Sequence, residues 1–239
     1  MQTMLGRDGV RTPRVPTLDP PPIGEVSAAR NSLTMAHVVI VLAAGGVRGH
    51  LQDDLDRLAH TMVGAAGAVL LDVDGCTDAT VEAAQFWAAP RTSVTVVQPG
   101  NFGHGGNQKF CMRWALERGY SIVVLLDAAG SCAVEPLTPL LAPLLHGDAD
   151  AVLGVRTSSM ARPSRKPGIV DERVRTSLGR RLGGARPIAI TGGARAYNLH
   201  RLDIGAVEAL TDGPGFDTEL VRHLLARGRR VLRIERPNN

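Results

Sequence analysis

The stretch Gly100-Asn101-Phe102-Gly103-His104-Gly105-Gly106-Asn107-Gln108-Lys109 carries the densest chemistry of this 239-residue chain. Its glycines let backbone approach a ligand closely. Asn101 and Lys109 stand where a helix opens, the end at which backbone amides favour anions. Lys109 reads either as a contact to an anionic ligand or as a solvated helix position, and His104 is a candidate base. Upstream, Asp72-Val73-Asp74-Gly75-Cys76-Thr77-Asp78 sets carboxylates just after an apolar run. A carboxylate there accepts hydrogen bonds from a ribose or nucleobase, or caps the following helix. For Asp74 both uses stay open. Downstream, Asp217 and Glu219 open another helix, where acidic side chains suit the dipole and one of them can take a proton from a hydroxyl.

None of the familiar phosphate motifs accounts for these residues. There is no G-x-x-x-x-G-K-[ST], and the glycine-rich stretch fails G-x-G-x-x-G because Gln108 stands where the last glycine belongs. Leu42-Ala43-Ala44-Gly45 is similar to the LAAG opening of sugar nucleotidyltransferases. It lacks one residue of their spacing, and no later Pro-Lys pair follows.

The elements that must position these residues alternate. Strands rich in Val, Ile and Leu are expected at His37–Leu42, Ala68–Leu71, Ser93–Val97, Ser121–Leu126 and Ala151–Leu153. Helices are expected between them at His50–Met62, Asp78–Ala88, Gly105–Arg118 and Glu135–His146. Short apolar strands alternating with helices imply an α/β fold with a mainly parallel, buried sheet and ligands beyond the carboxyl ends of its strands. After Arg156 the alternation fails. Thr157–Gly168 reads as a polar loop and Asp171–Leu182 as a helix. Ala189–Tyr197 is an irregular piece, followed by helices near Leu202–Leu210 and Phe216–Arg227 and a strand at Arg230–Ile234. Residues 1–34, with five prolines, read as a flexible N-terminal extension, and Met35 as a candidate translation start.

Charge is unevenly placed. Twenty-seven basic and 23 acidic residues give +4 overall, yet residues 1–155 carry net −5 and residues 156–186 net +7. Only Lys109 and Lys166 are lysines; the other basic residues are arginines, a skew that fits genomic base composition. No apolar run approaches the roughly 20 residues needed to span a bilayer, and no signal peptide is expected. Three scattered cysteines make neither a disulfide framework nor a zinc site, so a reducing cytoplasm is the expected compartment. Aromatic residues, at 3%, are too sparse for base-stacking platforms, and no helix-turn-helix or zinc signature is present. Nucleic acid is not an expected partner.

Taken in order, six segments resemble the elements of glycosyltransferase family 2. Asp72–Thr80 is similar to its D-D-G-S-T-D-G-T, Gly100–Lys109 to its N-x-G-x-G helix opening, and Val123–Gly130 with Glu135 to its L-D-A-D-G-Q-x-x-P-E. Ala149–Arg156 resembles A-D-V-V-x-G-S-R, Thr191–Tyr197 resembles T/S-G-F-R-A-Y, and Phe216–Glu219 resembles F-D-x-E. The nearest branch is that of dolichol- or polyprenyl-phosphate sugar synthases. The resemblance implies a GT-A type fold with a Rossmann-like sheet over residues 35–239, comprising a nucleotide half (35–155) and a basic, acceptor-side half (156–239). It implies transfer of a sugar from a nucleotide-sugar donor to a lipid phosphate or a small hydroxylated acceptor, with peripheral membrane contact as an option. The donor nucleotide falls to Leu42, Ala43, Asp74, Asn101 and Lys109, and the diphosphate to Arg156 and Arg195. Asp217 or Glu219 is the base.

One departure stands out. Where the family's D-x-D holds Mg²⁺ or Mn²⁺, this chain has Asp127 followed by Ala129, and Ser131 replaces a nearby glutamine. A hard cation wants several oxygen ligands, so Asp127 with the diphosphate makes at best a weak metal site. Arginines, which stay charged and grip phosphate bidentately, are the expected substitute for part of the cation's charge. A catalytically degraded domain that binds nucleotide sugar or a partner protein without turnover is the alternative. The chain ends at Asn239, soon after its last strand, where many lipid-phosphate sugar synthases continue into membrane-contacting helices. A soluble acceptor, as in bacterial secondary metabolism, is therefore as good an expectation as a lipid one.

Overall fold

Runs such as Val38-Val39-Ile40-Val41-Leu42 are apolar at every position, the pattern of a strand covered on both faces. The computed structural model describes residues 33–43, 68–74, 93–98, 102–127, 137–156, 169–171 and 194–236. Within them lie strands β1 (Val38–Ala43), β2 (Ala68–Asp74), β3 (Ser93–Gln98), β4 (Ile122–Asp127), β5 (Ala151–Arg156), β6 (Ile169–Asp171), β7 (Arg195–Asn198) and β8 (Val231–Arg236). The helices are α1 (Gly103–Glu117), α2 (Thr138–Leu145), α3 (Ile204–Glu208) and α4 (Phe216–Ala226). The strands form one sheet in the order β3-β2-β1-β4-β7-β5-β8-β6. From β3 to β4 every neighbour is parallel, as is β5 with β8, whereas β7 runs antiparallel between β4 and β5. Residues on either side of position 155 therefore share one sheet.

Alternate strand residues feed two cores. Val38, Ile40, Leu42, Val124 and Leu126 pack with Leu140, Leu141 and Leu144 of α2 on one face. Val39, Val41, Val123 and Leu125 pack on the other with Met112 and Ala115 of α1 and Phe216, Leu220 and Leu224 of α4. Such a helix–sheet–helix sandwich leaves the carboxyl ends of β1, β2 and β4 as the edge where ligands gather.

Two expectations need correction. The helix expected from Asp171 begins instead as strand, since Asp171 ends β6 opposite Leu232 of β8. The irregular piece before Tyr197 holds β7, which stays in register with both neighbours because Ala196 and Tyr197 are fully buried there. The expected helices at 50–62 and 78–88, the loop at 157–168 and the extension at 1–32 lie outside the described residues.

Candidate active site

The carboxyl edge is set by register. Ala43 of β1 pairs with Asp72 of β2 on one side and with Asp127 of β4 on the other. Asp74 ends β2 opposite Gln98, and Arg156 ends β5 opposite Arg236. Backbone placement thus brings Ala43, Asp74 and Asp127 to one edge, next to buried Leu42. Asn101 lies outside the described residues.

Helix α1 starts at this edge and turns one face toward it. His104, Asn107, Gln108 and Cys111 follow at helical spacing and line a recess of about 50 Å³ with Val41, Ala43, Asp72, Leu125, Leu126 and Arg195. That space suits a single group or the end of a ligand, not a whole nucleotide. Asp72 and Cys111 meet on its wall. Burial pushes the Cys111 thiol well above its ordinary range, and the Asp72 carboxylate, which accepts its hydrogen bond, pushes it further. Cys111 is therefore a buried thiol donor and no nucleophile.

A four-residue cluster closes one side. The Arg195 guanidinium, 2% exposed, donates through Nη1 to Asp217 Oδ2 at 2.5 Å. His104 Nε2 lies 2.8 Å from that same oxygen, and Gln108 Nε2 lies 2.5 Å from the ring nitrogen. Arg195 lines the recess, and its guanidinium is paired inside the protein with Asp217.

The glycine-rich opening of α1 is used differently from an anion cradle. Gly105 and Gly106 amides both donate to the Asp212 carbonyl, at 2.7 and 3.3 Å. Two of the helix's opening donors are thereby satisfied by protein. A Cβ on Gly105 would collide with the Thr211 carbonyl and lie 2.7 Å from Phe216 Cβ, and one on Gly103, at φ +77°, would lie 2.7 Å from the Asp212 oxygen. Small residues here let the segment 208–215 sit directly on the helix.

Lys109 is held by the same segment. Its buried ammonium donates to the carbonyls of Glu208 and Leu210 at 3.1 and 3.0 Å and pairs with Asp212 at 2.5 Å. Three donors are matched by three protein acceptors, so Lys109 straps α1 to this segment and leaves no hydrogen for a ligand. Glu219 serves the same segment, accepting the Thr211 amide at 2.9 Å. Of the two base candidates, Asp217 joins the recess cluster and Glu219 braces the loop beside it.

Sequence reasoning passed over Asp72, Asn107 and Gln108. Signals were present: an aspartate inside an otherwise apolar strand, and polar residues repeating at positions 104, 107, 108 and 111 of one helix face. Among the described residues no helix is long and apolar enough to cross a membrane.

The family model described as "Glycosyl transferase family 2" matches residues 69–199, more than half of the chain. Asp217 and Glu219 fall outside that span. The chain is 31% identical over 174 residues to an undecaprenyl-phosphate mannosyltransferase of Micrococcus luteus, covering 70% of this chain and 69% of that protein. In fold it is similar to a mycobacterial protein (TM-score 0.56, 19% identity, 84% of this chain and 65% of that one). It is also similar to glucosyl-3-phosphoglycerate synthase of Mycobacterium tuberculosis, solved with Mn²⁺, UDP and glucosyl-3-phosphoglycerate. There the TM-score is 0.55 at 19% identity, covering 84% of this chain and 70% of that one. The chain spans about two thirds of the length of these relatives. With its sheet order, its carboxyl-edge recess and these matches, the chain belongs to glycosyl transferase family 2 and has the GT-A fold.

Proposed function

We propose that this glycosyltransferase moves a sugar from a nucleotide-sugar donor to a phosphate-bearing lipid or a small hydroxylated acceptor. The observation that carries the reading is the register that puts Ala43, Asp72 and Asp127 side by side at the carboxyl edge, beside a helix face of polar residues. Leu42, Ala43, Asp74 and Asn101 then take the donor's nucleoside. Arg156 and Arg195 take the diphosphate. The Micrococcus relative, named for a lipid-phosphate acceptor, and the mycobacterial synthase, solved with UDP, support a nucleotide donor and a phosphate-bearing acceptor.

The chemistry of the donor set speaks against a strong metal site. Ala129 stands where a second carboxylate would follow Asp127, and Ser131 offers only a hydroxyl. A divalent ion, where one joins, would neutralise the diphosphate through Asp127 and phosphate oxygens. The alternative of a non-catalytic binder is not favoured, since the relatives are named for transfer and synthesis.

The test is a transfer assay over UDP-, GDP-, dTDP- and CDP-sugars with undecaprenyl phosphate and glycerol as acceptors, each with Mn²⁺ and with EDTA. Sugar transfer from one donor class is the expected result. Nucleoside diphosphate release from none of them contradicts the reading.

A further inference from the structure

Building on that transferase reading, we propose that His104 accepts the proton of the acceptor hydroxyl, positioned by Asp217 and, behind it, Arg195. Asp217 Oδ2 already accepts from the Arg195 guanidinium at 2.5 Å. Toward His104 Nε2, at 2.8 Å, it is again the acceptor, so that ring nitrogen carries the hydrogen. Gln108 agrees once its amide is turned over. Its Nε2 stands 2.5 Å from His104 Nε2 while its Oε1 is buried without a partner, and exchanging the two gives Oε1 the ring N–H. A neutral ring with its hydrogen on Nε2 keeps a lone pair on Nδ1, and Nδ1 makes no hydrogen bond among the described residues.

The alternatives are worse placed. The Asp217 side chain is 6% exposed and holds two partners on one oxygen, whereas the His104 side chain is 36% exposed and lines the recess. Glu219 is engaged by the Thr211 amide. The charged groups around the ring are Asp217 from α4, Arg195 from β7 through that carboxylate, and Asp72 from β2 across the recess. Asp212, from the segment over α1, is taken up by Lys109. In the step itself the acceptor oxygen bonds to the anomeric carbon as the bond from that carbon to the diphosphate oxygen breaks. The electron pair leaves with the diphosphate, the hydroxyl proton passes to Nδ1, and the resulting imidazolium faces Asp217.

Two measurements on the full chain test this. The first uses UDP-glucose and GDP-mannose as donors with water, glycerol or undecaprenyl phosphate as acceptor. With water or glycerol, His104→Gln should lower kcat by at least about 100-fold, the lower range for a lost general base, with nucleotide affinity within about twofold. The acid limb of the wild-type kcat/KM–pH profile should vanish from the residual activity. Turnover of His104→Gln within about threefold of wild type with water or glycerol, the acceptors that carry a hydroxyl proton, overturns the role. A wild type that turns over no donor would instead sink the transferase reading itself. The second measurement needs no substrate: ring-nitrogen NMR, with the His104 signal identified by its loss in His104→Gln. The neutral ring should be the Nε2–H tautomer, and Asp217→Asn should disturb it. An Nδ1–H tautomer in the wild type overturns the proposal.

Discussion

Asp217 Oδ2 collects Arg195 from 22 residues away and His104 from 113 residues away, so this cluster exists only in the folded chain. Each residue was readable by type, and none announced its partner. The sequence made His104 a lone histidine in a loop-like stretch and Arg195 an arginine for phosphate. Long-range pairing gave both a carboxylate. Lys109 shows the reverse case, since an ammonium at a helix opening reads as an anion contact or a solvated position until its three protein acceptors appear. Removing it tests which use is real. Lys109→Met should leave the Glu208 and Leu210 carbonyls and the Asp212 carboxylate without their partner and destabilise the protein by about 2 kcal/mol in urea unfolding. Nucleoside diphosphate affinity should stay unchanged. Weakened affinity at unchanged stability would restore Lys109 to the donor site.

At the scale of elements, the strands of the parallel half were legible because burial on both faces demands unbroken Val, Ile and Leu. Observed limits moved by only a residue or a few from those expected. β6 and β7 were not legible: three and four residues are too short to show a period, and β7 draws its stability from two neighbours already in place. The docking of residues 208–215 on α1 was hidden for another reason, since a glycine-rich helix opening looks alike whether it faces phosphate or protein. Gly105→Ala should force that segment away and destabilise by about 1–3 kcal/mol, a typical cost of overpacking, measured by urea unfolding. Helix α3 supplies a pH test. Asp203 caps it through the Ala206 amide and meets Arg227 at the end of α4. Hydrogen bonds from Arg227 and then from Ala206 hold its carboxyl below the ordinary range. Because the folded value lies below the unfolded one, the stabilisation is present above the ordinary carboxylate range and lost as pH falls through the folded value. Asp203→Asn should therefore cost stability at neutral pH, with the gap to wild type closing on acidification. A gap that does not narrow contradicts the assignment.

For the molecule as a whole, the +4 net charge conceals an acidic first half (residues 1–155) and a basic second half (residues 156–239). β7 and β8, from the second half, flank β5 from the first, so Arg195 reaches a recess built largely by the first. Chain order alone suggested one domain with a nucleotide half and a basic, acceptor-side half. The sheet makes them a single edge, where the strand-end residues Asp72 and Asp127 and the later Arg195 stand at the proposed donor site. Isothermal titration of the full chain with UDP, GDP, dTDP and CDP, each with Mn²⁺ and with EDTA, tests this most directly. The account predicts that one nucleoside diphosphate binds at one site per chain and still binds in EDTA, with arginines carrying part of the charge. Binding of none of the four, under either condition, would contradict it.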